Sequence, residues 1–233
     1  MERFGDTPYP SLMSEPNRNK SSNFIPPDRS PRTPNEWGLL VVFSFFFTLL
    51  MALELVQNYS VAKLSVPFFL LSWVVLLVLH EFGHALMAKV VGWQILLVSI
   101  GHGTVRARLV VQGTPVEFRT LPLSGFVLPR PGDLVAPRLK QFLIYAAGPG
   151  IELLAVTFIV VLIGPDEMLR QSSELTLIAA QSFCVAALFG ALFNLIPFPH
   201  QTAAGAAWSD GLGMILCWRI SNEEFRRRLD AAE

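Results

Sequence analysis

Residues 64–93, LSVPFFLLSWVVLLVLHEFGHALMAKVVGW, decide how the rest of the chain is read. No charged side chain occurs between Leu64 and Leu79, and the apolar run continues through the next residues to about Trp93, long enough at about 1.5 Å per residue to cross the roughly 30 Å of a bilayer core. Three ionisable residues then follow close together: His80, Glu81 and His84. Such groups are costly inside a spanning helix, so their presence points to a function that turns them toward a partner or a water-filled cavity.

Similar runs lie on either side. Residues 37–56 are interrupted only by Glu54, and residues 141–164 and 175–197 are each long enough to cross with some tilt. Residues 211–220 are too short to cross and read as a half-helix. The 233-residue chain is 52% hydrophobic and 15% charged, whereas about a quarter of a soluble domain is charged. The expected fold is an all-α polytopic membrane protein with about four transmembrane helices, a short half-helix and a small β-hairpin after the second crossing.

Residues 1–36, rich in Pro, Ser and Asn, cannot bury enough apolar surface to offset the entropy of ordering and read as a disordered polar tail. The run that follows is too long for a cleaved leader and reads as an anchor. Residues 37–220 form the membrane-embedded domain, and residues 221–233 a charged cytosolic tail. Basic residues crowd the first tail, the loop after residue 93 and the C-terminus, whereas the other side of a four-crossing arrangement holds only Lys63 and Arg170. Basic loops stay cytosolic, so both termini are expected in the cytosol. Arg226 to Arg228 read as a tail at an anionic leaflet, and nothing points to nucleic acid. Cys184 and Cys217 lie in apolar segments without metal-ligand spacing and read as packing residues.

On a helix, residues four apart emerge about 40° apart, so His80 and His84 can converge on one ion. Glu81, one step round, is badly placed to complete that ion's shell but well placed to take a proton from a water bound to it. Zinc suits this arrangement because it lowers the pKa of a bound water to about 7. Chance supplies such a spacing roughly once in two hundred chains of this composition, which favours function over accident.

A catalytic zinc takes three protein ligands and keeps one position open. His80 lies roughly 24 Å into its crossing at about 1.5 Å per residue, and the crossing over residues 175–197 reaches similar depth near Asn194. Beyond it Pro197 and Pro199 break the helix, as is tolerated where a chain lines a cavity, before Asp210 opens the last apolar segment. Asp210 is the preferred third ligand and His200 its main rival. A carboxylate at residue 210 could also cap the helix that follows.

Other polar residues have two readings each. Glu152 either helps to orient ligand or substrate, or is a carboxylate paired inside the bundle. Asn194 either hydrogen-bonds substrate backbone or caps its helix end. Glu54 faces either the interface or the site, and His102, between Gly101 and Gly103, reads as a turn residue. Val105, Ala107 and Leu109 alternate with arginines, and Val116 and Phe118 alternate with Glu117 and Arg119, so a hairpin is expected to turn at Gly113-Thr114-Pro115.

Taken in order, these signals resemble the site-2 protease family of intramembrane zinc metalloproteases. HEFGHALMAKVVGW is similar to the family's metal-binding helix, and LPLSGFVLPRPG at 121–132 to the loop motif that follows it. AAGPGIELL at 146–154 is similar to its Gly-Pro helix, and NLIPFP at 194–199 with SDG at 209–211 to its Asn-x-x-Pro and Asp-Gly pair. Ser124 and Phe126 depart from the usual Gly and Tyr, Glu152 falls near a position that is often Asn, and the interval from Asn194 to Asp210 is longer than the compact form.

The resemblance implies a zinc metalloendopeptidase with His80, His84 and Asp210 as metal ligands and Glu81 as catalytic base. It implies that Gly125, Phe126 and Asn194 bind substrate, with the loop strand taking an unwound transmembrane segment of another membrane protein as an additional strand. The lipid bilayer is the other expected partner, and regulated proteolysis in signalling the expected setting. Two alternatives stay open: a membrane HExxH protease of another class, acting on lipidated or soluble peptides, and a non-catalytic metal-binding membrane scaffold.

Overall fold

The computed structural model describes residues 24–25, 42, 44–47, 49–50, 53, 60–202 and 205–230, and only the backbone of 24–25, 200–202 and 205–207. Its elements are β1 (Phe24–Ile25), α1 (Ser65–Val90), β2 (Gln94–Val111), β3 (Thr114–Arg130), α2 (Pro137–Ile163), α3 (Pro165–Leu169), α4 (Leu175–Leu195), β4 (Pro199–Thr202), β5 (Gly205–Trp208), α5 (Asp210–Leu216) and α6 (Asn222–Asp230).

Three helical spans among the described residues are long and apolar enough to cross a membrane: Val61–Val90, Pro137–Ile163 and Leu175–Leu195. The remaining expected crossing, residues 37–56, lies largely outside the described residues, as do Glu54 and most of the polar tail. Within that tail Phe24–Ile25 pairs antiparallel with Leu109 and Arg108.

Helices α1, α2 and α4 pack against one another. The inner face of α1 is its less apolar one: Ser72, Leu76, His80, His84 and Ala88 recur every four residues and are buried, whereas Leu71, Val75, Phe82 and Leu86 point outward. Lipid tails are as apolar as leucine, so small and polar residues gather between such helices while large aliphatic ones face out. A satellite core joins the helical bundle to the C-terminal end of the chain, where Phe225 of α6 is fully buried with Ala88, Trp93 and Ile144. The C-terminal segment thus includes a docked helix. Cys184 and Cys217 are both buried and free.

The expected hairpin is larger than its alternation suggested. Strands β2 and β3 both bend, so Val98 to Ile100 pair with Val116 to Phe118 on one side and with Gly125 to Val127 on the other. Its turn comes earlier than the Gly-Thr-Pro signal indicated: Val111 pairs with Thr114, and Gln112 and Gly113 both take positive φ, 49° and 79°. Two left-handed residues give the turn whose twist matches the flanking strands, which draws Thr114 and Pro115 into β3. His102 is exposed at the bend of β2 opposite Leu121.

Candidate metal centre

Helix α1 carries His80, Glu81 and His84 to the inner face of the bundle, where all three are buried. Asp210 arrives from the other end of the chain, at the start of α5, and is also buried. The longer interval between Asn194 and Asp210 is taken up by the β4–β5 hairpin. Ser209 closes its base: its amide donates to the Phe198 carbonyl at 3.0 Å, and its hydroxyl donates to the Ile196 carbonyl at 2.7 Å and accepts from the Phe198 amide at 3.0 Å. The same hydroxyl caps α5 by accepting from the Leu212 amide. The additional residues therefore leave and return at one point, and Asp210 is held just past the end of α4.

The distances within the cluster are short. His80 Nε2 lies 2.9 Å from Asp210 Oδ2, His84 Nε2 lies 3.2 Å from Asp210 Oδ1, and the two Nε2 atoms are 3.1 Å apart. A tetrahedral ion with bonds of about 2.0–2.1 Å sets its ligands about 3.3–3.4 Å apart, close to these separations. Two imidazoles and a carboxylate are a donor set that zinc takes. Among the described residues His80, His84 and Asp210 are the group of three that could hold a metal ion. The side chain of His200, the rival third ligand, lies outside the described residues.

The surroundings fit the same donor set. His84 Nδ1 donates to the Ile144 carbonyl at 2.6 Å, which leaves Nε2 as the lone-pair nitrogen. Gly148 of α2 lies against the two rings, where a Cβ would come 2.6 Å from His80 Nε2 and still closer to His84. That residue must be glycine to leave the imidazoles their room. Gly125 of β3 plays a similar part for the carboxylate, since a Cβ there would come 2.5 Å from Glu81 Oε1. Among the described residues no group hydrogen-bonds Glu81 Oε2, so this buried oxygen is available to a molecule in the site.

A cavity of about 430 Å³ opens here, and its lining includes His80, Glu81, His84, Asp210, Gly125, Phe126 and Asn194. The segment from Leu123 to Pro129 runs along it, and among the described residues no further strand pairs with this arm of β3. Glu152 and Gln141 are buried lining residues. Gln141 carries no signal in the sequence, since a lone Gln near the start of an apolar run suggests only a helix end. Neither does the Ile144 carbonyl, a main-chain group whose use depends on how α1 and α2 meet.

Residues 68–194 match the sequence model of peptidase family M50, a stretch that includes both histidines and Asn194 and ends before Asp210. Over 104 residues the chain is 33% identical to a protein of Campylobacter jejuni that is named as a zinc metalloprotease. That alignment covers 38% of this chain and 28% of the relative, so the chain spans under a third of the relative's length.

Proposed function

Because this chain belongs to peptidase family M50, we propose that it is a membrane zinc metalloprotease that hydrolyses peptide bonds in or beside transmembrane segments of other membrane proteins. The observation that carries this reading is the meeting of His80, Glu81, His84 and Asp210 beside one cavity, among helices apolar enough to cross a membrane.

His80, His84 and Asp210 would hold the zinc. When bound, zinc would supply an acidified water and a positive charge opposite the scissile carbonyl. Glu81 takes up the proton that the attacking water gives up and returns it to the leaving amine, a task suited to a carboxylate with one unengaged oxygen. The arm of β3 around Gly125 and Phe126 receives the substrate as an added strand, with its backbone extended beside Glu81. Asn194, at the last turn of α4 and on the same cavity, hydrogen-bonds the substrate backbone. Residues 37–220 constitute the catalytic domain, both termini lie in the cytosol, and the released product is a membrane-tethered regulator.

Comparison of membrane proteomes from cells making the wild type and Glu81→Gln tests the proposal. The variant should accumulate at least one membrane protein at full length that the wild type shortens. Identical proteomes would remove intramembrane proteolysis as the function.

A further inference from the structure

The two metal-facing histidines are not held alike. His84 turns its Nδ1 to a main-chain carbonyl, whereas His80 turns its Nδ1 to a side chain, Glu152 Oε2 at 3.4 Å. Both members of this second pair are buried, and neither atom has another hydrogen-bond partner among the described residues. A movement of about half an ångström brings the pair to ordinary hydrogen-bond length. Space for the carboxylate comes from Gly190 on α4, where even a Cβ would lie 3.3 Å from Glu152 Oε1.

We infer that Glu152 is a positioning residue of the metal centre: its carboxylate accepts a hydrogen bond from His80 Nδ1 and so keeps His80 Nε2 turned toward the ion. Three observations converge on this. An ionisable residue within a spanning helix needs a partner, and the side chain that forms an ion pair with Glu152 is the back of a candidate ligand. A carboxylate accepts on both oxygens, so it imposes the Nδ1–H form of the ring, whereas an amide could present either its oxygen or its nitrogen. Finally, the side opposite Nδ1 is the side on which His80 meets Asp210 and His84, so orienting one nitrogen orients the other.

The inference rests on the metal reading of the site, and its test separates the two. Zinc affinity of the full-length protein in detergent is measured by chelator competition for the wild type, Glu152→Gln and Glu152→Ala, with thermal unfolding of each metal-free form alongside. Outer-shell partners of a metal-bound histidine are worth about 10–100-fold in affinity. Glu152→Ala is expected near the upper end of that range. Glu152→Gln, which keeps the shape and loses the charge, is expected near the lower end. The cobalt-loaded visible spectrum should shift in the same order, a signature that a purely structural carboxylate would not move. Wild-type affinity in a folded Glu152→Gln protein overturns the inference and leaves the metal site standing. A wild type that binds no zinc overturns the metal reading and the inference with it.

Discussion

His80 Nε2 and Asp210 Oδ2 lie 2.9 Å apart although 130 residues separate them in the chain. Their meeting depends on the route back from α4, because the hairpin after Phe198 returns to Ser209 before Asp210 is presented. This contact supplies the third corner of the candidate site, and the first test addresses it.

Asp210→Ala leaves two histidines, one short of the three protein ligands of a catalytic zinc site. Metal analysis after dialysis should fall from about one zinc per chain to a small fraction. Chelation of the wild type should lower its unfolding temperature, and added zinc should restore it, since a ligand bound only by the folded state stabilises that state. Full zinc content in Asp210→Ala would assign the third ligand to another residue.

Gly148→Ala introduces a methyl group where the two imidazoles already lie, and the His84 ring cannot retreat without losing its bond to the Ile144 carbonyl. Overpacking of this kind costs about 1–3 kcal/mol. Thermal unfolding should occur at lower temperature and zinc should bind more weakly. A variant with wild-type affinity would mean that the helices separate there more readily than their packing suggests.

Gly125→Ala should divide binding from turnover. The new methyl group meets the Glu81 side chain from Cγ to Oε1 and turns that carboxylate aside, while the atoms nearest to it include none of the metal-facing residues, so zinc content should be kept. A displaced base should lower kcat by about a hundredfold, the effect of an ångström of misplacement. Single-turnover cleavage of a transmembrane peptide in proteoliposomes provides the measurement, and unchanged kcat would separate the β3 arm from catalysis.

Ser209→Ala removes the cap of α5 and the hydroxyl that closes the hairpin base. Loss of such a cap costs about 1 kcal/mol. Because Asp210 is the next residue, zinc affinity should fall as well, and Ser209→Thr should recover much of both. Stability that falls without any change in zinc affinity would show that Asp210 is held from elsewhere.

Much of the fold was legible because the signals were local. Length and the absence of charge identify a helix able to cross a membrane without knowledge of its neighbours, and the ends of α1, α2 and α4 fall within a few residues of the apolar runs. The spacing of His80 and His84 is likewise a property of one helix. The β2–β3 turn was displaced because Gly113-Thr114-Pro115 contains two turn-forming residues, and only the pairing of Val111 with Thr114 chooses between them. Gly125 and Phe126 were singled out by resemblance and line the cavity, yet the contact of Gly125 with Glu81 required β3 to bend back onto α1.

Residues 64–93 by themselves determined a helix long and apolar enough to cross a membrane, with two converging imidazoles and a carboxylate, because helical geometry relates residues four apart whatever surrounds them. The tertiary structure alone decided which partners meet those side chains: Asp210 across the site, the Ile144 carbonyl behind His84, Glu152 behind His80, and Gly148 giving both rings their room. Those relations depend on how α1, α2, α4 and α5 pack, and packing distances between helices do not exist in the spacing of residues along any one of them.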